Sequence, residues 1–275
     1  MTGDKKPLDG SEEDVPSGTT PKKDLNRSPI VRIGKRIRKK INPYIKRHSR
    51  IPDQAVFGRE HFPVLEALEE NWEVICEEAL AVLAYRDAIP ALAELSPDHA
   101  RLDTEGKWRS FFMWGYGFRF DPNCWRCPET FRLLRKIPGL RTALFSIHDP
   151  GMRIAPHSGV TAGVCVIHLG LKIPTDWQNC AIRVDDQIVH WREGKAFAFD
   201  DTRKHETWND TDDTRVILLL HVDRPVRFPA SILSWVFMQA IRYSPFIGDA
   251  RRQMMMWHDR MIEIERQSES ARKPG

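Results

Sequence analysis

The sequence predicts a mainly β core of antiparallel sandwich or barrel type, in an α+β chain with helices at both ends. Three observations carry that expectation. From about Lys107 to Asp223 the chain breaks into short runs rich in β-branched and aromatic residues, separated by Gly, Pro, Asn and Asp. Before that stretch, apolar residues recur at helical spacing. After it, from Pro229, helical texture returns.

The first 29 residues are charged and small, with little to bury, and read as a disordered tail. They hold five Lys/Arg and six Asp/Glu, whereas residues 31–50 hold nine Lys/Arg and no acid. The chain's net charge of +4 therefore conceals a cationic segment of +9 followed by a body of −4. Within residues 30–50, Ile30, Ile33, Ile37, Ile41, Tyr44 and Ile45 fall on one helical face, and Pro43 is expected to break or kink the helix. An amphipathic basic helix suits an anionic membrane surface, with Ile33, Arg36, Ile37, Lys40 and Ile41 as contacts. Nucleic acid binding and a solvated tail are the alternatives, and the membrane reading is preferred to a nucleic acid partner.

Residues 61–99 should be helical: Phe62, Leu65, Leu68, Trp72, Ile75, Ala79 and Val82 share a face, and Pro90 interrupts them. Strands are expected at Trp108–Trp114, Thr142–His148, Gly163–Lys172, Ala181–Val184, Gln187–Trp191, Ala196–Phe199 and Thr214–Asp223, with a short helix over Leu133–Leu140. The main globular body spans 51–227, and 228–275 forms a C-terminal helical region. The uncharged run Phe228–Ile241 is 14 residues, short of the roughly 20 that cross a bilayer. Together with Met254–Trp257 it offers a second apolar, aromatic-rich surface, either core or membrane-facing. The N-terminus has no apolar stretch of signal-peptide type.

Five cysteines, an odd number, argue against a disulfide framework. Cys124-Trp-Arg-Cys127 has the spacing of half a zinc site, yet no second pair completes a tetrahedral set, and a turn carrying two reduced thiols is the better reading.

Chemistry concentrates between Ala143 and Pro225, in ALFSIHDPGMRIAPHSG, VCVIHLGLKIP, WREGKAFAFDDTRKHETWND and TRVILLLHVDRP. In order and spacing these segments resemble the aspartyl/asparaginyl β-hydroxylase family of 2-oxoglutarate oxygenases, over roughly Trp108–Pro225. The resemblance implies a double-stranded β-helix (a jelly roll) with Fe(II) at its mouth, held by His157 and His205. It also implies Gly159 where most such oxygenases place a carboxylate, a position left to water, with Asp201 orienting that water or a ligand histidine. Arg215, set in an apolar strand, would bind the distal carboxylate of 2-oxoglutarate, aided by Ser146 and His168. Where animal members carry a further Arg two residues before His168, this chain has Val166. His148, His190 and His221 read as structural.

The implied reaction is O2-dependent hydroxylation of an unactivated C–H bond, with 2-oxoglutarate converted to succinate and carbon dioxide. The whole chain is most similar to bacterial ornithine-lipid hydroxylases that act on C2 of the ester-linked acyl chain, which implies a site peripheral on the bacterial inner membrane, facing the cytoplasm. The alternatives are lipid A acyl chains, an Asp or Asn side chain of a protein, and a non-catalytic jelly-roll module tethered to membranes.

Overall fold

The computed structural model describes residues 29–95, 102–115, 117–244, 248, 251–259, 262–263 and 266, with side chains from Arg38 onward. The tail expected over residues 1–29 lies outside these, save Pro29. Residues Met1–Ile37 and Arg38–Gly275 form two separate compact units; the second contains the body of the protein.

Helix α1 (Pro29–Arg47) enters that body with its last turns. It runs through Pro43 rather than breaking there. Pro43 faces solvent, so its ring is accommodated and the carbonyl it leaves unbonded points to water. Ile45, one residue of the basic segment's apolar stripe, is fully buried, so the helix end is anchored in the protein core. A buried ionic cluster fixes it: Asp200, 0% exposed, lies 2.9 Å from Lys46 and 2.8 Å from Arg224. Burial alone would raise the carboxyl pKa of Asp200, but these cations outweigh it and hold the group below the usual range.

The helical stretch expected over 61–99 is several pieces: α2 (Val64–Glu70), α3 (Trp72–Leu83), a 3-10 turn at Arg86–Ala88 and α4 (Leu92–Leu95). The break between α2 and α3 falls at Asn71, whose side chain bonds back to the Ala67 carbonyl and competes with the helix ladder. The helix expected at Leu133–Leu140 is instead α6 (Pro128–Leu134), and Leu140 already begins a strand. Gly139 makes this early turn possible, with φ +68 and the Asp223 side chain packed against its α-carbon. Cys124 lies in α5 (Asp121–Arg126), not in a turn, and Cys127 precedes α6. Both thiols are buried and free, and burial pushes that of Cys124 up to about 11 and that of Cys127 higher still. They are core residues.

Among the described residues eleven strands follow the helical lead-in or accompany it. β1 (Val56–Phe57), β2 (Trp108–Gly115), β3 (Phe118–Arg119), β4 (Leu140–His148), β6 (Val164–Lys172), β9 (Ala196–Phe199) and β11 (Arg215–Asp223) form one sheet in the order β1-β9-β6-β11-β4-β2-β3. β5 (Met152–His157), β7 (Cys180–Val184), β8 (Gln187–His190) and β10 (His205–Asn209) form the other, in the order β5-β10-β7-β8. Each ladder between these strands is antiparallel. From β4 to β11 the chain alternates between sheets, save for the β7–β8 hairpin within the second, so that β4, β11, β6 and β9 lie across from β5, β10, β7 and β8. This is the jelly roll, eight strands in two Greek keys, closed on the outside by helices.

Side-chain parity explains which residues enter the barrel. On β11, Val216, Leu218, Leu220 and Val222 pack outward under the helices, while Ile217 and Leu219 pack between the sheets. Both faces are covered, which is why the strand reads as a continuous apolar run in sequence. Arg215 shares the parity of Ile217 and so enters the barrel. On the same argument Ser146 and His148 of β4, Val166 and His168 of β6, and Phe197 and Phe199 of β9 line its inner wall. The outward neighbours Phe145, Ile147, Ile167, Leu169 and Ala198 join the helix-facing core.

Helix α7 (Ala230–Arg242) follows the last strand. Among the described residues no helix is long and apolar enough to cross a membrane.

Candidate active site

The two strands that carry the proposed iron ligands are neighbours. His157 ends β5, His205 begins β10, and they are directly opposed in the ladder. Their ring centroids are 4.2 Å apart. Each ring is oriented the same way: Nδ1 of His157 lies 2.9 Å from the Ala155 carbonyl, and Nδ1 of His205 lies 2.9 Å from the Arg203 carbonyl. A carbonyl only accepts, so each Nδ1 carries the proton and each Nε2 the lone pair. This is the tautomer that a metal ligand needs, set by backbone. Burial also holds the His205 pKa below its usual value, so the ring is neutral near pH 7.

Asp201 lies in the β9–β10 turn with Oδ1 3.7 Å from Nε2 of His205. Its relation to Gly159 is close. The Gly159 N–H donates to the Asp201 carbonyl at 2.7 Å, and a β-carbon at position 159 would overlap the Asp201 carboxyl group. The carboxyl therefore fills the space into which a side chain two residues after His157 would project. Burial raises its pKa above the ordinary aspartate value. Among the described residues no set of three or more His, Cys, Asp or Glu is arranged to hold a metal; the donors that fit iron are the two imidazoles, with Asp201 beside them.

Deeper in the barrel is a cluster of donors. Arg215 is 1% exposed, its guanidinium lies 4.4 Å from the Trp191 ring centre, and one terminal nitrogen donates to Ser146 Oγ at 3.2 Å. Among the described residues no carboxylate pairs with it, and burial pulls its pKa down to about 10. Ser146 Oγ also accepts from Trp108 Nε1 at 3.0 Å. With two bonds accepted, its own O–H remains to donate. Trp191 Nε1, which can only donate, lies 3.3 Å from Nδ1 of His168. That assigns the His168 proton to Nε2, which is buried and has no hydrogen-bond partner among the described residues. Nε of Arg215 is likewise buried and unbonded. A guanidinium N–H, an imidazole N–H and a hydroxyl are thus held by one another around a desolvated positive charge. Leaving such groups unmet is costly, and a carboxylate meets all three. The residues present fit a 2-oxoglutarate-like dianion.

Phe199 separates the two clusters, edge-on to His168 at 5.1 Å and to His205 at 5.2 Å. The structure thus brings Ser146, His157, His168, Asp201, His205 and Arg215 to one end of the barrel. Trp191, Trp108, Phe199 and the fully buried His148 also belong to the site, and sequence reasoning did not select them. Trp191 was expected to close strand β8, which ends at His190. His148 stands opposite Arg215 in the ladder and stays neutral, its pKa well below the usual value through burial and the adjacent guanidinium. Its inward parity is the sequence signal that could have found it. Of the proposed membrane contacts, Lys40 is exposed and Ile41 is half-buried; side chains of Ile33, Arg36 and Ile37 lie outside the described set.

The profile of the aspartyl/asparaginyl beta-hydroxylase family matches residues 69–225, which include every residue of the two clusters. The chain is 36% identical over 211 residues to the ornithine lipid ester-linked acyl 2-hydroxylase of Rhizobium tropici, a match covering 77% of this chain and 75% of that protein. It is also 36% identical over 171 residues to the aspartyl/asparaginyl beta-hydroxylase of Homo sapiens, covering 60% of this chain but only 22% of the human protein. The chain belongs to the aspartyl/asparaginyl β-hydroxylase family.

Proposed function

We propose that the protein is an Fe(II)- and 2-oxoglutarate-dependent dioxygenase that hydroxylates C2 of the ester-linked acyl chain of ornithine lipids, working peripherally on the cytoplasmic face of a bacterial inner membrane. The observation that carries the cosubstrate assignment is Arg215: a fully buried guanidinium with no acidic partner among the described residues, its own Nε and the nearby His168 Nε2 left without a hydrogen-bond partner, and Ser146 bonded beside it. The match over three quarters of the Rhizobium tropici hydroxylase supports the lipid substrate.

When bound, the iron supplies the oxidising chemistry by which O2 and 2-oxoglutarate give succinate, carbon dioxide and one oxygen atom inserted into a C–H bond. The chain's own groups hold and shield that chemistry. His157 and His205 present neutral Nε2 atoms, each fixed by a backbone carbonyl. Arg215, Ser146 and His168 bind the distal carboxylate and so set which end of the cosubstrate faces the histidines. Phe199, Val166, Ile217 and Trp191 form a dry wall around these donors. Asp201, held above the ordinary aspartate range, sits where it can bond a water beside His205 and fix its orientation.

Mass spectrometry of lipid extracts from cells with and without the gene tests the substrate. The expected result is an ornithine lipid heavier by one oxygen atom on its ester-linked chain. A gain on lipid A instead, or on no lipid while a protein Asp or Asn is modified, would replace this reading with one of those alternatives.

A further inference from the structure

Helix α7 packs one side and leaves the other bare. Ala230, Ser234 and Met238 are buried, whereas Ile232, Trp235 and Val236 on the opposite side are 55, 56 and 49% exposed. Phe228 before the helix and Tyr243 after it are 76 and 73% exposed. At three-, four- and seven-residue spacing Ile232, Trp235, Val236 and Tyr243 fall on one side of the helix, and Phe228 stands exposed just before it. Its chemistry is aromatic and aliphatic, with the exposed Arg227 beside it; residues 224–248 hold no Asp or Glu, and the buried Arg224 is taken up by Asp200.

The position of this face matters. The buried side of α7 presses Ser234 against Gly163, and Gly163 ends the loop that begins at His157. The same loop is held from α1, where Asn42 accepts from the Ala162 N–H at 3.0 Å and donates to the Val160 carbonyl at 3.3 Å. Between these two clamps Val160 is half exposed. On the α1 side Lys39, Lys40, Arg47 and Arg50 are exposed, and residues 31–50 carry no acid. Both clamping helices lie outside the stretch that matches the family profile, yet they grip the loop after an iron ligand.

We propose that the exposed face of α7, formed by Phe228, Ile232, Trp235, Val236 and Tyr243, inserts shallowly into the headgroup–acyl boundary of an anionic bilayer while the exposed cations of α1 lie on its phosphates. This rests on the lipid-substrate reading and deepens it: the helix that carries the docking face packs its other side on the loop that leads to His157, so an acyl chain reaches the site without the lipid leaving the membrane. Aromatic side chains with one apolar body and a polar edge suit that boundary. A second copy of the chain is a worse occupant, because two such faces would set cation against cation.

Sedimentation of the full chain with sucrose-loaded vesicles of equal parts phosphatidylglycerol and phosphatidylcholine tests the assignment. The Ile232→Ser/Trp235→Ser variant should lose about tenfold or more in vesicle partition, with the 2-oxoglutarate-induced thermal shift unchanged as proof of an intact fold and pocket. Lipids brominated along the acyl chain should quench wild-type fluorescence more than that of Trp235→Phe. Wild-type binding by the double variant, with binding abolished instead by Lys39→Glu/Lys40→Glu, overturns the α7 assignment and leaves the lipid substrate standing. A wild-type dimer that the double variant splits would make the face a self-association surface and also overturn it. Vesicle binding lost in the variant while no lipid in cells gains oxygen would keep the docking face and sink the substrate reading.

Discussion

Replacing Arg215 by Met should stabilise the protein without cosubstrate and make it blind to cosubstrate. The guanidinium is fully buried, and burial depresses its pKa to about 10. At ~1.4 kcal/mol per unit, the folded state carries about 3 kcal/mol against the charged form. Against this stand a hydrogen bond to Ser146 and the Trp191 ring face, worth together about 2 kcal/mol. Met keeps the length and fills the slot, so the net gain is about 1 kcal/mol, or a melting temperature about 2–4 °C higher. With 2-oxoglutarate at a hundred times its dissociation constant the order reverses. The wild type then gains about 2.7 kcal/mol by mass action and the variant gains nothing. Thermal melting with and without 2-oxoglutarate measures both. If Arg215→Met melts well below the wild type without ligand, the charge is satisfied inside the protein and the pocket is structural. If the variant keeps the ligand-induced shift, Arg215 does not bind the carboxylate.

Three further outcomes are expected. Gly159→Ala should cost about 1–3 kcal/mol because its β-carbon overlaps the Asp201 carboxyl; in an Asp201→Ala background the cost should fall by at least ~1 kcal/mol, and additive melting shifts would show that the two do not share space. His205→Ala should weaken Fe(II) binding by more than about a hundredfold in a titration, whereas His190→Ala, on β8 away from the site, should leave it unchanged; equal effects would remove the ligand assignment. Asp200 should give an acid limb to stability. Its folded pKa is below the unfolded value, so its contribution is present above about pH 4 and is lost as pH falls through the folded pKa. Asp200→Asn should melt lower at pH 7, by about 3–5 kcal/mol for a broken buried pair, and show a flatter profile below pH 4. An unchanged acid profile would mean that the Lys46–Asp200–Arg224 cluster does not stabilise the fold.

The longer strands of the larger sheet were legible because burial on both faces makes them apolar runs, as in Val216–Leu220 and Val164–Leu169, whereas the two-residue strands β1 and β3 were not. The strands that carry the two histidines were not. Met152–His157 is short, alternates between buried Met152 and Ile154 and exposed Arg153 and Ala155, and contains Pro156. Proline argues against a central strand, but β5 is an edge strand, where a missing N–H costs no ladder bond. His205–Asn209 has one apolar residue, Trp208, and is a strand because β5 and β7 pair with it on either side. Helix boundaries failed where local competition decided them, at Asn71 and Gly139. The pattern of hydrophobic residues cannot report such side-chain and backbone choices.

By itself the sequence determined which residue types were available and in what order. Short β-rich runs between turn residues carried the β-core expectation, because strands alternate their faces, while the jelly roll, the two histidines and the arginine in an apolar strand were singled out by resemblance to the family. The tertiary structure alone decided what each group meets. His157 and His205 are 48 positions apart, and only pairing of β5 with β10 opposes them. The Asp201 carboxyl occupies the space beside Gly159 only because the turn before β10 and the loop after β5 meet at the same end of the barrel. Trp191, invisible as a site residue in sequence, holds both Arg215 and His168. Contacts between distant segments depend on the closure of the barrel, and the one-dimensional pattern does not contain them.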